Sequence, residues 1–293
     1  MSGIPGLIII GESLNDSVPS THELLERGDF DGLVALACKQ ASEGAHYVDV
    51  NVGQRQPELM AELVRRLQQV LDRPLVIDSP DKQIAEAGLR AYDPARARGQ
   101  KPILNSVALG RVHMLELLAI QPSKVVLLVS EAVAEGRTVP CRTAEESYQV
   151  AKELVRRVRE TGFPISNDDI IIDPGVVPLA TDSTGQLARV LETIARIRDD
   201  KDLAGVHFVV GLSNLTVMLP SKRADGSPVK GPLQNAFLTK AVPLGLDMVV
   251  ASTSRQYQFL PADHPAMRCL EECLACRGPR AIVRIRQFYT SAG

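Results

Sequence analysis

Eight short apolar runs separated by helix-length stretches predict a closed (β/α)8 barrel for this chain. The runs are dense in Val, Ile and Leu with little polar alternation, as expected of parallel strands covered on both faces. They are evenly spread, show no reversal of order, and lack a G-x-G-x-x-G after the first. A doubly wound dinucleotide-binding sheet is therefore the poorer reading. No shift in composition and no Ser/Gly-rich linker divides the chain, and one barrel occupies roughly 250 residues. Residues 1–293 accordingly read as a single domain.

The first strand candidate is LIIIGE (7–12), followed by YVDVNV (47–52), PLVIDS (74–79) and PILNSV (102–107). KVVLLV (124–129), DIIIDP (169–174), FVVGLS (208–213) and MVVAST (248–253) complete the set. Helical periodicity is plainest from Glu145 to Glu160, where Val150, Leu154, Val155 and Val158 share a face. Thr143, with Glu146 three residues later, reads as a capping box for that helix. The longest irregular segment runs from Val217 to Gly231, broken by Pro220, Gly226, Pro228 and Gly231. It leaves the C-terminal end of a strand, where barrel active sites lie, and is expected to act as a lid. Its Lys222, Arg223 and Lys230, set against Asp225, are candidates for meeting an acidic ligand tail or an acidic partner surface.

A formal net charge of −2 argues against a nucleic-acid partner, which favours a strongly basic domain. No stretch nears the roughly 18 consecutive apolar residues of a membrane helix. The N-terminus, MSGIPGLIII, lacks a signal peptide's basic segment, so a cytoplasmic protein is expected. Five cysteines are an odd and sparse set, better suited to a reducing compartment than to a disulfide framework. Cys269, Cys273 and Cys276 have the spacing of one helix face. No further ligand follows at zinc spacing, and ordinary buried thiols are expected.

In such a barrel, residues at the C-terminal ends of the strands face the active site. In chain order these are Glu12 and Asn15, Asp49 and Asn51, Asp78, and Asn105 and Ser106. Asp173, Ser213 and Asn214, and Ser252 and Ser254 follow. This ring is rich in carboxylates and amides and holds no histidine, lysine or cysteine. A Schiff-base lysine and a histidine-rich zinc site are both missing. A magnesium site on Glu12, Asp49, Asp78 and Asp173 stays open, since hard cations take oxygen ligands. Asp and Asn at strand ends also cap helices or close Asx turns, which is the plainer account of any one of them. Four strands ending independently in Asp78, Asn105, Asp173 and Asn214 suit a flat heterocycle bearing hydrogen-bond donors and acceptors.

GESLN (11–15), VDVNVG (48–53), VIDSPD (76–81), ILNSV (103–107), IIIDPGVVP (170–178) and GLSNLT (211–216) follow one another in order. The series resembles the pterin-binding methyltransferases. These include methyltetrahydrofolate:corrinoid/iron–sulfur protein methyltransferase and the folate domain of cobalamin-dependent methionine synthase. It is more distantly similar to dihydropteroate synthase, which shares the barrel. The resemblance implies that Asp78, Asn105 and Asp173 hydrogen-bond a pterin ring, and that Asn214 lies near its N5. It further implies that Asp49, Asn51 and Ser213 line the same pocket. Tetrahydrofolate or its 5-methyl form is then the expected substrate, with a corrinoid carried by a partner protein, and a homodimer is the expected assembly. Ser13, where the family often has Arg, and the ASTSR end of the last strand depart from the pattern.

Methyl transfer from N5 needs positioning and a proton path rather than a protein nucleophile, which agrees with the ring's contents. Two rivals remain at this stage. A dihydropteroate synthase would hold diphosphate with a basic end to the seventh strand, yet no basic residue follows Asn214 until Lys222. A non-catalytic pterin-binding subunit is the other, disfavoured by an intact Asn214.

Overall fold

The computed structural model describes residues 3–276 and 278–290. Its centre is a closed barrel of eight parallel strands: β1 (Ile8–Gly11), β2 (Tyr47–Val50), β3 (Leu75–Asp78), β4 (Ile103–Val107), β5 (Lys124–Leu128), β8 (Ile170–Asp173), β9 (His207–Gly211) and β10 (Met248–Ala251). Each pairs with its neighbour in chain order, and β10 closes on β1 through Ile8↔Met248 to Gly11↔Ala251. All eight predicted runs are strands, trimmed by a residue or more where the backbone turns towards the next helix. One element escaped the sequence reading. A hairpin of β6 (Glu131–Ala134) and β7 (Arg137–Pro140) follows β5, closed by Glu135 and Gly136, both at positive φ.

The helices α1 (Pro19–Arg27), α2 (Phe30–Ser42), α3 (Pro57–Val70), α4 (Lys82–Ala91), α5 (Ala144–Glu160), α6 (Gln186–Arg198), α7 (Lys230–Ala241), α8 (Pro265–Ala275) and α9 (Pro279–Thr290) accompany the barrel. Their starts are specified locally. Asp29 caps α2, Asp81 accepts from Gln83 N and Ile84 N at the start of α4, and Thr143 with Glu146 forms the expected capping box on α5. Asp182 accepts three backbone N–H groups, from Gly185, Gln186 and Leu187, and so fixes the entry to α6. On α5, Val150, Leu154, Val155 and Val158 are buried as their spacing predicts. Burying each side chain contributes about 1.5–3 kcal/mol, and Leu154→Ala would cost about 2–5 kcal/mol. Among the described residues no helix is long and apolar enough to cross a membrane.

Inside the barrel the side chains stack in layers drawn from alternate strands. Ile10, Val76, Val126 and Val209 come from β1, β3, β5 and β9; Tyr47, Ile103, Ile171 and Met248 come from β2, β4, β8 and β10. These eight form an apolar cluster separate from the larger core between strands and helices. This plug closes the barrel from below and sets the floor of the site.

Candidate active site

Side chains alternate along a strand, so the residue two places beyond a plug residue also faces inward. On β2, β4 and β8 that step leads from Tyr47 to Asp49, from Ile103 to Asn105 and from Ile171 to Asp173. From β1 and β3 it leads from Ile10 to Glu12 and from Val76 to Asp78. On β9 it leads from Val209 to Gly211, where other strands carry an acid or amide. A Cβ at Gly211 would lie 2.7 Å from Asn214 Nδ2, so the missing side chain makes room for the Asn214 amide.

These residues enclose a pocket of about 430 Å³ at the C-terminal end of the barrel. Ile10, Val76, Val126, Val209 and Val250 form its apolar floor. Glu12, Asn15, Asp49, Asp78, Asn105, Asp173, Ser213 and Asn214 form its polar wall, and Val217 stands at the rim. The volume falls in the usual range for small-ligand sites. A groove of about 520 Å³ on the outer face of α5 is larger. Its Lys152, Glu153 and Arg156 are surface charges paired with neighbours, and none of its lining residues lies at the C-terminal end of a strand.

The wall is held by its own hydrogen bonds. Asn51 Nδ2 donates to Asp78 Oδ2 at 2.8 Å, and Asn15 Nδ2 lies 3.4 Å from Asp49 Oδ2. The Ser213 hydroxyl donates to Glu12 Oε1 at 2.6 Å, and Gly175 N–H donates to Asp173 Oδ1 at 2.8 Å. Asp49 is 1% exposed, and its Oδ1 is buried without a partner in a wall that faces the pocket. Such an acceptor costs free energy unless a ligand donor satisfies it. The Asn105–Ser106 peptide is cis.

Burial dominates the electrostatics. It raises the Glu12 carboxyl against the Ser213 hydrogen bond and nearby Arg255. Burial, reinforced by Asp78, raises Asp49 well above the usual carboxylate range. Asp78 is raised by burial too, opposed by the Asn51 hydrogen bond and Arg111. Asp173 is pushed up to about 6 by burial, with the Gly175 N–H and Arg189 pulling it down. Burial thus raises four carboxyls around one pocket, where each can accept from a ligand's N–H groups or exchange a proton with it.

Six of the seven residues assigned from the sequence line this pocket: Asp49, Asp78, Asn105, Asp173, Ser213 and Asn214. Asn51 does not. It stands behind Asp78, bonded to it and to the backbone of Gly53, because β2 ends at Val50 and residue 51 bridges to Asn15 instead. Ser106, Ser252 and Ser254 are also absent from the lining, and the two serines after β10 bond each other at 2.9 Å. Glu12 lines the wall too, a strand-end carboxyl that the sequence offers as a magnesium ligand but not as a pterin contact. Arg189, 3% exposed, escaped notice altogether. Its Nη2 donates to the carbonyls of Pro174 and Gly175, fixing the loop beyond Asp173. A cation on the helix face that also carries Leu187, Val190, Ile194 and Ile197 was the available signal.

Residues 217–229 form a turn that starts at the pocket rim with Val217 and whose tip packs on α9, where Arg223 is engaged with Phe288. Cys269 and Cys273 share a hydrogen bond inside α8, Cys276 caps that helix, and all five cysteines are free thiols. Among the described residues, no group of three or more His, Cys, Asp and Glu side chains is arranged to hold a metal ion.

The model of the family described as pterin binding enzyme matches residues 12–251. The chain belongs to the pterin-binding enzyme family. It is 28% identical over 259 residues to the methylcorrinoid:tetrahydrofolate methyltransferase of Eubacterium limosum, covering 85% of this chain and 86% of that one. It is also 27% identical over 265 residues to the methionine synthase of Mycobacterium leprae (strain TN), spanning 86% of this chain but only 20% of that much longer protein. Solved structures share the barrel. The dihydropteroate synthase of Vibrio fischeri ES114 superposes with a TM-score of 0.57 at 15% identity, covering 98% of this chain and 94% of that one. The Xanthomonas albilineans enzyme in complex with 7,8-dihydropteroate gives 0.52 at 15% identity over 90% and 92%. At such identity these two support the fold and nothing finer. Pterin-binding family membership agrees with an apolar floor ringed by acids and amides.

Proposed function

We propose that this chain moves a methyl group between N5 of tetrahydrofolate and the cobalt of a corrinoid carried by a partner protein. The observation that carries the reading is the make-up of the pocket. Its wall holds four carboxyls and three side-chain amides, and none of its lining residues is Lys, Arg, His or Cys. The E. limosum relative is named for this exchange and covers most of both chains.

The donor set fits a reduced pterin. The unpartnered Asp49 Oδ1, with Asp78 and Asp173, offers acceptors to ring N–H and amino groups, and Asn105 can both donate and accept. The apolar floor takes the face of a flat ring. When bound, the partner's corrinoid supplies the metal centre that gives or takes the methyl group. This chain's residues do the rest: they orient the ring, exclude water from below, and present Asn214 at the exposed lip. In this reading Asn214 steadies positive charge at N5 without being an acid itself. Glu12, bonded to the neighbouring Ser213, is the nearby group able to hold a proton. Ser213 and Glu12 thus join the lip to the wall.

A dihydropteroate synthase reading would need cations for a leaving diphosphate, and the lining supplies none. Single-turnover assays separate the readings. Purified chain mixed with 5-methyltetrahydrofolate and cob(I)alamin, and tetrahydrofolate mixed with methylcobalamin, should each show transfer. The name of the E. limosum relative favours the second direction as the physiological one. No transfer either way, together with no heat on titrating pterin to millimolar levels, would remove the proposal. Condensation of a pterin diphosphate with 4-aminobenzoate would replace it.

A further inference from the structure

The segment after β9 leaves Asn214 and enters a small ordered turn. Arg223 N donates to Ser227 O at 2.8 Å, Val229 N donates to Ser221 O at 3.1 Å, and Gly226 turns the chain at φ 85. The turn's tip is tied to the last turn of α9. Arg223 Nε donates to Phe288 O at 2.8 Å, Ala224 N donates to Tyr289 O at 2.9 Å, and the Arg223 guanidinium lies 4.8 Å from the Phe288 ring centroid. A guanidinium and a loop N–H thus both bond to carbonyls of α9. The start of α9 is tied as well: Gly278 N donates to Ser183 O at 2.7 Å, in the loop that follows β8. The ends of α9 therefore grip the loops beyond Asp173 and Asn214.

At its near end the same segment is fixed by α7, where Gln234 Nε2 donates to Thr216 Oγ1 at 2.9 Å. Between the two anchors lie Val217, 56% exposed at the pocket rim, and Met218, the next residue, 62% exposed. A short stretch pinned at both ends loses most of its freedom, so its entropy cost is met before any ligand arrives.

We propose that Arg223 is a positioning residue. By clasping the turn to α9 it holds the rim segment, and with it Asn214, in the working arrangement of the pocket. The inference rests on the methyl-transfer reading above for its kinetic consequence, but not for its structural one. A residue remote from the pocket then acts on rate through preorganisation rather than through contact with substrate.

The experiment compares parent, Arg223→Ala and Arg223→Lys proteins in two measurements. Amide hydrogen exchange without substrate reads residues 212–229 against the barrel strands. Single-turnover transfer and calorimetric binding of 5-methyltetrahydrofolate read rate and affinity separately. We expect Arg223→Ala to raise exchange in 212–229 about tenfold with the strands unchanged. We expect it to slow transfer by about tenfold while the pterin Kd moves less than about threefold. Lysine, which keeps the charge but not the planar stack, should restore part of both effects. Unchanged exchange in 212–229 overturns the proposal, as does faster exchange spread over the whole barrel. Equal losses in rate and affinity also overturn it. If the parent transfers no methyl group, the functional reading falls, and the exchange data alone decide whether Arg223 holds the segment.

Discussion

The Ser213 hydroxyl reaches Glu12 Oε1 across 2.6 Å, joining the turn after β9 to the loop after β1 over the intervening β10. The bond ties a buried carboxyl of the wall to the residue next to Asn214 at the lip of the pocket. Four expectations follow from this arrangement and its surroundings.

Asn214→Ala should lower the transfer rate on the order of 10²–10³, the usual loss for one preorganised polar partner of a transition state. Pterin affinity should change only modestly, because the contact matters as charge develops. Single-turnover rates across pH, with binding measured separately, check this, and the parent rate should rise as pH falls. Equal losses in binding and rate would make Asn214 an ordinary ring-binding residue.

Gly211→Ala tests the space that Asn214 occupies. The new methyl would sit 2.7 Å from Asn214 Nδ2, the free end of a side chain at an exposed lip, so the amide should swing aside at little cost in stability. The variant should show a thermal midpoint near that of the parent and a rate close to that of Asn214→Ala. Parent-like turnover would mean that the amide is not needed where it stands.

Asp173 couples function to stability. Burial pushes its carboxyl up to about 6 from the ordinary aspartate value of 3.8, so the folded state holds the proton more tightly than the unfolded chain. Its contribution is therefore most favourable at low pH and is lost as pH rises from about 4 to about 6. Asp173→Asn should raise stability at pH 7 by on the order of 2 kcal/mol, or a few degrees in thermal midpoint. It should also weaken pterin binding, since stranding a ring donor costs about 1–3 kcal/mol. Calorimetry of unfolding and of binding reads both. A variant that is less stable at pH 7 would contradict the burial argument.

His207, at the opposite end of the barrel, carries the reverse sign. Its Nδ1 lies 2.5 Å from Asp247 and its Nε2 3.1 Å from Asp168, which Lys124 also engages at 2.8 Å. The Asp247 hydrogen bond raises its pKa, outweighing burial and nearby Lys124. The stabilisation is fully present below the unfolded value near 6.5 and is lost as pH rises through the raised folded one. The gap in thermal midpoint between the parent and His207→Gln should shrink from pH 6 to pH 9. A constant gap would show that the clamp works without the proton.

The strands and the inward ring were legible in the sequence for one reason. A strand's period of two is a local property, so an apolar run ending in Asp78, Asn105 or Asp173 fixes on which face those side chains lie. Closure of the barrel then makes that face the interior. The β6–β7 hairpin was missed because its strands are four residues each, bearing two exposed valines, and its turn places the non-glycine Glu135 at positive φ. Asn51, expected in the lining from its strand-end position and from the resemblance, stands behind Asp78 because β2 stops one residue earlier and alternation stops with it.

By itself, the sequence determined the eight strand segments, the capping box of α5 and the residue types that ring the pocket, since each depends on neighbours a few positions apart. Only the tertiary structure decided which wall atoms are left without partners, how far burial lifts each carboxyl, and where the basic loop goes. Those depend on groups brought together across tens or hundreds of residues, such as Glu12 with Ser213 and Arg223 with Phe288. Arg223 looks in sequence like a ligand-seeking cation on a free lid. In the folded chain it bonds to the Phe288 carbonyl and lies over the Phe288 ring on α9, a pairing across 65 residues that no local pattern announces.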